Sequence, residues 1–185
     1  MKAFEKPGPI NTDEACKLAV ERATLLGASI VSATTEGNSG VRLCEIAKEM
    51  GYCGKIVIVT HAYGSMEPGK NKLLDEHRQA ILDHGAALVT AAHVLSGVER
   101  GMSKKFQGVY PAEIMANSLR MICQGVKVAV EIGCMALDAG QIDYGSAVVC
   151  MGGSGRGLDT AVVMTPAHAN SIFDTNIHEI LCMPY

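Results

Sequence analysis

The sequence predicts an α/β fold built around a mixed sheet, and three observations carry that expectation. Short apolar runs rich in β-branched residues alternate with segments of helical period. The runs are nearly continuous, as in strands buried on both faces. The last two runs are separated by only six or seven residues, too few for a parallel crossover, so one edge is antiparallel. The 185 residues suit a single domain, 1–185, because a chain of this size hides roughly 70% of its unfolded surface.

The elements follow in order. Asn11-Thr12-Asp13-Glu14 places a capping residue and early acids before Ala15, Leu18, Ala19, Ala23 and Leu26, whose spacing is helical, and Gly27 ends the helix. Ser29 to Thr35 is the first strand, Val41 to Met50 the next helix, and Lys55 to Thr60 a second strand. A Gly/Pro loop from Tyr63 to Gly69 leads to a helix over about Lys72 to His84, then a third strand around Ala86 to Thr90. Pro111 to Ala139 reads as one long helix interrupted at Gly125. Ser146 to Met151 is the fourth strand and Thr160 to Met164 the fifth, with Ile177 to Met183 as a last apolar segment able to pair with or cover an edge.

Composition narrows the function classes. Apolar residues make up 48% and charged residues 19%, below the usual charged share of about 25%, which excludes a disordered tail and favours a homo-oligomer. A net charge of −3 with dispersed lysines and arginines gives no footprint for nucleic acid or an anionic membrane. Seven cysteines without a CxxC pair read as reduced thiols. Met1 to Pro9 has no apolar signal core, and no run is long enough to span a bilayer, so a cytoplasmic protein is expected.

Two glycine-rich segments draw the chemistry. Thr34-Thr35-Glu36-Gly37-Asn38-Ser39-Gly40 follows the first strand and opens a helix, whose free N–H groups attract anions. Gly152-Gly153-Ser154-Gly155-Arg156-Gly157 follows the fourth strand, and its glycines free the main chain to form an anion-binding nest beside Arg156. A phosphate site results if the two strands are neighbours at a topological reversal. The alternative for the second segment is an ordinary flexible hairpin, and Glu36 opposes an anion at the first. GxGxxG spacing, GKS or GKT, GxSxG, HExxH and Cys/His metal spacings do not occur, so no metal site is expected.

His61 follows the second strand and His93 the third, which makes them the acid–base candidates at the same sheet edge, against the alternative of local hydrogen bonding. His77 and His84 read as a solvated helix face. Cys150 reads as core, and Met102, Met115, Met121 and Met135 as packing residues. Lys127 and Glu131 have the spacing of a helical ion pair, solvated or buried. Tyr110 starts a helix near the cleft or packs in the core.

The runs Ile30 to Gly40 and Val148 to Gly157, with Gly108-Val109-Tyr110-Pro111-Ala112-Glu113-Ile114, Gln124 to Glu131 and the tail Phe173-Asp174 to Pro184, resemble the C-terminal α/β domain of pyruvate kinase, and most closely its free-standing prokaryotic relatives. The resemblance implies a three-layer α/β/α fold with five strands in the order 3-2-1-4-5, strand 5 antiparallel. It also implies phosphate contacts from Thr35, Gly37, Asn38, Ser39 and Gly40 with Gly153, Ser154, Gly155 and Arg156 opposite, and flavin mononucleotide (FMN) as an occupant. The catalytic barrel of pyruvate kinase has no counterpart here, so that activity is not implied.

The expected function is therefore binding of a phosphorylated small molecule between the two loops. One alternative is a flavin-dependent oxidoreductase or an acid–base enzyme acting on a phosphate ester. Another is a regulatory module for a separate protein.

Overall fold

Each central strand turns alternate side chains to opposite faces of one sheet, and both faces are covered. Ile30, Ile58, Val149 and Met151 belong to one apolar cluster, whereas Val31, Val57, Cys150 and Val162 belong to the other. The computed structural model describes residues 1–185. The strands are β1 (Lys2–Phe4), β2 (Ile30–Ala33), β3 (Ile56–Thr60), β4 (Ala87–Thr90), β5 (Val148–Gly152), β6 (Thr160–Thr165) and β7 (Asn176–Pro184). The helices are α1 (Thr12–Leu26), α2 (Asn38–Glu49), α3 (Asp75–Asp83), α4 (Gly97–Phe106), α5 (Pro111–Arg120) and α6 (Gln124–Asp138). None is long and apolar enough to cross a membrane.

The sheet order is β1-β7-β6-β5-β2-β3-β4. Its run β4-β3-β2-β5-β6 is the expected 3-2-1-4-5 arrangement, with β6 antiparallel to β5. The sheet nevertheless has seven strands rather than five. β7 pairs antiparallel with β6, and β1 pairs parallel with β7. Three residues in β1 are too few to show a period, and β7 is joined to β6 through register shifts that break its alternation.

Helices α1 and α2 supply Ala15, Ala19, Leu43 and Ile46 to one cluster, to which α3 adds Ile81. The other face is dominated by α6, which is buried almost throughout. The expected helix over 111–139 is two helices, broken at 121–123, where Cys123 is extended and its sulfur accepts from Val126 N at 3.4 Å. Gly125 does not interrupt α6. It lets the helix approach β6 so closely that a Cβ there would lie 2.0 Å from Thr160 Oγ1. Helix α4 was not expected: it buries no residue, so it carries no core-facing stripe.

Six of the seven thiols are buried and Cys53 is exposed; none forms a disulfide. Burial pushes the Cys16 thiol up to about 12 and Cys44 up to about 11, and it raises Cys150 further still, which leaves them unreactive core residues. Of the methionines read as packing residues, Met135 is buried, but Met121 and Met102 are exposed, because α4 and the α5–α6 break lie outside the core.

Candidate functional site

From β2 the chain builds β3 and β4 to one side and then returns to add β5 on the other. β2 and β5 are therefore hydrogen-bonded parallel neighbours at a topological reversal, with Val31 opposite Cys150 and Ser32 opposite Met151. Open α/β sheets bind ligands at this position, beyond the carboxyl ends of the strands. A cleft of about 610 Å³ lies there, with both glycine-rich segments in its lining.

The first segment is held from two sides. Gly37 has φ +110°, and a Cβ there would lie 2.3 Å from His77 Cβ. The Glu36 carbonyl accepts from Leu74 N at 3.2 Å and from His77 Nδ1 at 2.8 Å. The start of α3 thus fixes the turn, and His77 is a structural donor rather than part of a solvated face. Beyond the turn Thr34 Oγ1 and Ser39 Oγ bond at 3.1 Å, and the first-turn N–H groups of α2 have no intrahelical acceptor.

The second segment is a tight turn between β5 and β6. A Cβ on Gly153 would fall 2.1 Å from the Gly157 carbonyl, and Gly155 and Gly157 have φ of +93° and +73°. Asp159, with no exposed surface, fixes it from below. Its Oδ2 accepts from Ser154 N at 3.2 Å and Gly8 N at 2.9 Å, and its Oδ1 from Thr160 Oγ1 at 2.9 Å. Thr12 Oγ1 accepts from Leu158 N at 3.0 Å. Across the cleft Arg156 reaches Glu36 at 3.5 Å, so the two segments touch through an ion pair.

The sheet-edge histidines also meet in the cleft. The His61 and His93 rings lie 5.0 Å apart between centroids, tilted by 34°. Ala62 N donates to His93 Nε2 at 3.4 Å, which leaves the neutral ring its proton on Nδ1. Burial lowers the pKa of both, opposed by the nearby Glu131 carboxylate and reinforced by Lys127 and Arg100. Glu131 and Lys127 are both buried and form the helical pair, Nζ to Oε2, at 2.5 Å, while Glu131 Oε1 accepts from Leu95 N at 3.1 Å. The pair is therefore the buried alternative, not the solvated one.

Thr34, Thr35, Glu36, Asn38, Ser39, Gly153, Gly155, Arg156 and Gly157 line the cleft together with His61 and His93. Gly37, Gly40, Gly152 and Ser154 are not in the lining. A Cβ on Gly40 would meet Ile58 and Ile81 at 3.1 Å, and one on Gly152 would lie 2.4 Å from the Gly125 carbonyl, so both glycines serve helix–strand packing. The Ser154 N–H is directed to Asp159. Tyr110 is also outside the lining.

Sequence reasoning missed the part of the site that arrives from elsewhere in the chain. Thr12 and Asp13 bring the start of α1 to the cleft, and Gln124 brings the start of α6. Arg42, one turn into α2, lines it too, but its guanidinium is committed to Asp13 at 2.7 and 2.9 Å and to Glu45 at 3.0 Å. That pairing holds the exposed Asp13 carboxyl below its usual range. Val128, Ile132 and Met135 of α6, with Ala33 and Val59, form an apolar wall.

The fold and the cleft define an α/β domain whose ligand-sized cavity opens at the carboxyl edge of a mixed sheet. The family described as pyruvate kinase, alpha/beta domain, matches residues 13–164, and the chain belongs to that family. Similar solved structures include the pyruvate kinase of Cryptosporidium parvum, 14% identical over 95% of this chain and 23% of that one, with a TM-score of 0.36. Another is O-acetyl serine sulfhydrylase isoform 3 of Entamoeba histolytica, 16% identical over 71% of this chain and 46% of that one, with a TM-score of 0.29. The chain thus spans less than a quarter of the length of that pyruvate kinase.

Proposed function

We propose that this chain binds a phosphorylated small molecule, with the phosphate between the start of α2 and the β5–β6 turn. The observation that carries the reading is the convergence of these two segments on one cleft of about 610 Å³. The start of α2, with Thr35, Asn38 and Ser39, lines it together with Gly153, Gly155 and Arg156. Together they supply backbone donors, a helix dipole and a guanidinium, the means by which proteins hold phosphate. Glu36 and the commitment of Arg42 to carboxylates limit the charge accepted there, which favours a monophosphate over a bisphosphate.

FMN fits this division. Its phosphate would be held by the loops and its planar ring by the apolar wall of Val128, Ile132 and Met135. Flavin, when bound, supplies reversible hydride acceptance. Mass spectrometry of the small molecule released from gently purified protein tests the reading, together with thermal shift against a panel of phosphate esters. A phosphate ester should be released or should raise the melting temperature. Ser39→Glu should abolish that gain by placing a carboxylate against the phosphate. Failure of every phosphate ester to stabilise the protein would overturn the proposal.

A second reading, an enzyme that moves a proton on the bound ester, is favoured by the two imidazoles meeting in the same cleft. On that reading His61→Ala or His93→Ala abolishes turnover and leaves ligand binding intact. Turnover that survives both changes excludes it.

A further inference from the structure

The histidine end of the cleft differs from the loop end. His61 joins the hydrogen-bond network of the fold only through its backbone carbonyl, which accepts from Thr60 Oγ1 and Asn71 Nδ2. Its ring is left free in the cleft lining. His93 uses Nε2 on Ala62 N–H and retains Nδ1 as a donor. Two imidazoles with centroids 5.0 Å apart therefore present two N–H donors, the number that the two oxygens of one carboxylate engage.

The surrounding charge is mixed, and Glu131 lines the same cleft. Lys127, Arg100 and Lys72 act on His61 against a single carboxylate, Glu131; His93 is faced by His61, Glu131, Lys127 and Arg100. Glu131 is already satisfied by Lys127 and the Leu95 N–H. Lys72 and Arg100 form no ion pair. A negative group placed between the rings would thus meet two donors and the field of Lys72 and Arg100, beside a Glu131 whose charge Lys127 offsets.

We propose that the His61–His93 end of the cleft is a second anion subsite, built for a carboxylate, so that the ligand is a phosphate monoester bearing a carboxylate at its other end. The proposal rests on the reading above for the phosphate alone, and the substrate class it names is a different one from FMN, which has no carboxylate. A bound carboxylate favours the imidazolium form of His61, while His93 keeps Nε2 as the acceptor of the Ala62 N–H, so binding takes up protons from solvent, and affinity for the carboxylated ligand rises as pH falls.

Three six-carbon probes separate the two subsites: 6-phosphogluconate carries both groups, sorbitol 6-phosphate only the phosphate, and gluconate only the carboxylate. 3-Phosphoglycerate, glycerol 3-phosphate and glycerate repeat the comparison over a shorter span. Calorimetry in two buffers of different ionisation enthalpy should show the doubly functional member of at least one set binding tenfold or more tightly than its alcohol analogue, with net proton uptake. In the His61→Leu/His93→Leu variant, which removes both donors, its affinity should fall to that of the alcohol analogue. In the wild-type protein, gluconate or glycerate should shift the ring C2–H resonances of both histidines.

A gap below threefold in both sets, a gap that survives the double substitution, or histidine resonances indifferent to both carboxylates overturns the subsite. If instead sorbitol 6-phosphate and glycerol 3-phosphate bind no better than sorbitol and glycerol, the phosphate reading fails. The histidine resonances still decide the carboxylate subsite in that case.

Discussion

Asp159 is a buried carboxylate that joins three chain segments: its oxygens accept from Gly8, Ser154 and Thr160. Asp159→Ala leaves at least two N–H groups without their acceptor and should cost about 2–4 kcal/mol in urea denaturation. A loss under about 1 kcal/mol would mean that water replaces the carboxylate there. The histidines set a pH dependence of definite sign. Burial holds His61 and His93 below their ordinary value of 6.5. Between those lowered values and 6.5 the unfolded chain binds more protons than the folded one. Their contribution is therefore present in full above 6.5 and is lost as pH falls through the native values. Replacing both with Gln should flatten the decline of the urea midpoint below 6.5; an unchanged slope would assign the acid sensitivity to other groups.

Helix α6 carries a full ion pair inside its otherwise apolar stretch from Gly125 to Leu137, with both side chains about 6–7% exposed. Lys127→Met strands the Glu131 charge and should destabilise the protein by about 3–5 kcal/mol, whereas Lys127→Met with Glu131→Gln keeps an acceptor for Leu95 N–H and should recover most of the loss. Equal destabilisation by single and double variants in urea melts would show that the cost is one of packing. At this scale much of the fold was legible. Ile30 to Ala33, Ile56 to Thr60 and Val148 to Gly152 are apolar on both faces because helices cover both, and the two glycine-rich segments had to follow them. Helix α4 was illegible because none of its residues is buried, and the α5–α6 break because it rests on a cysteine cap without Pro or Gly. The roles of Asp159, Thr12 and Arg42 were hidden for another reason: each also bonds a residue distant in sequence, Gly8, Leu158 and Asp13 respectively, and no local pattern announces such a contact.

The whole molecule joins its first residues to its candidate site. β1 adds to the sheet through β7, and Gly8 and Thr12 bond to Asp159 and Leu158 beside the β5–β6 turn. Removing residues 1–8 should speed amide hydrogen exchange in 153–158 while leaving that of α2 unaltered. Equal protection of 153–158 with and without the segment would show that the turn stands on its glycines alone. The Glu36–Arg156 contact joins positions 120 residues apart at the solvent-facing rim, with the arginine side chain 81% exposed. Dissolved electrolyte weakens such a contact and also weakens the pull of the cavity on an incoming anion. The first effect unfastens the rim and the second slows capture. The association rate should therefore pass through a maximum as ionic strength rises, instead of declining steadily as it does for an unobstructed cationic groove.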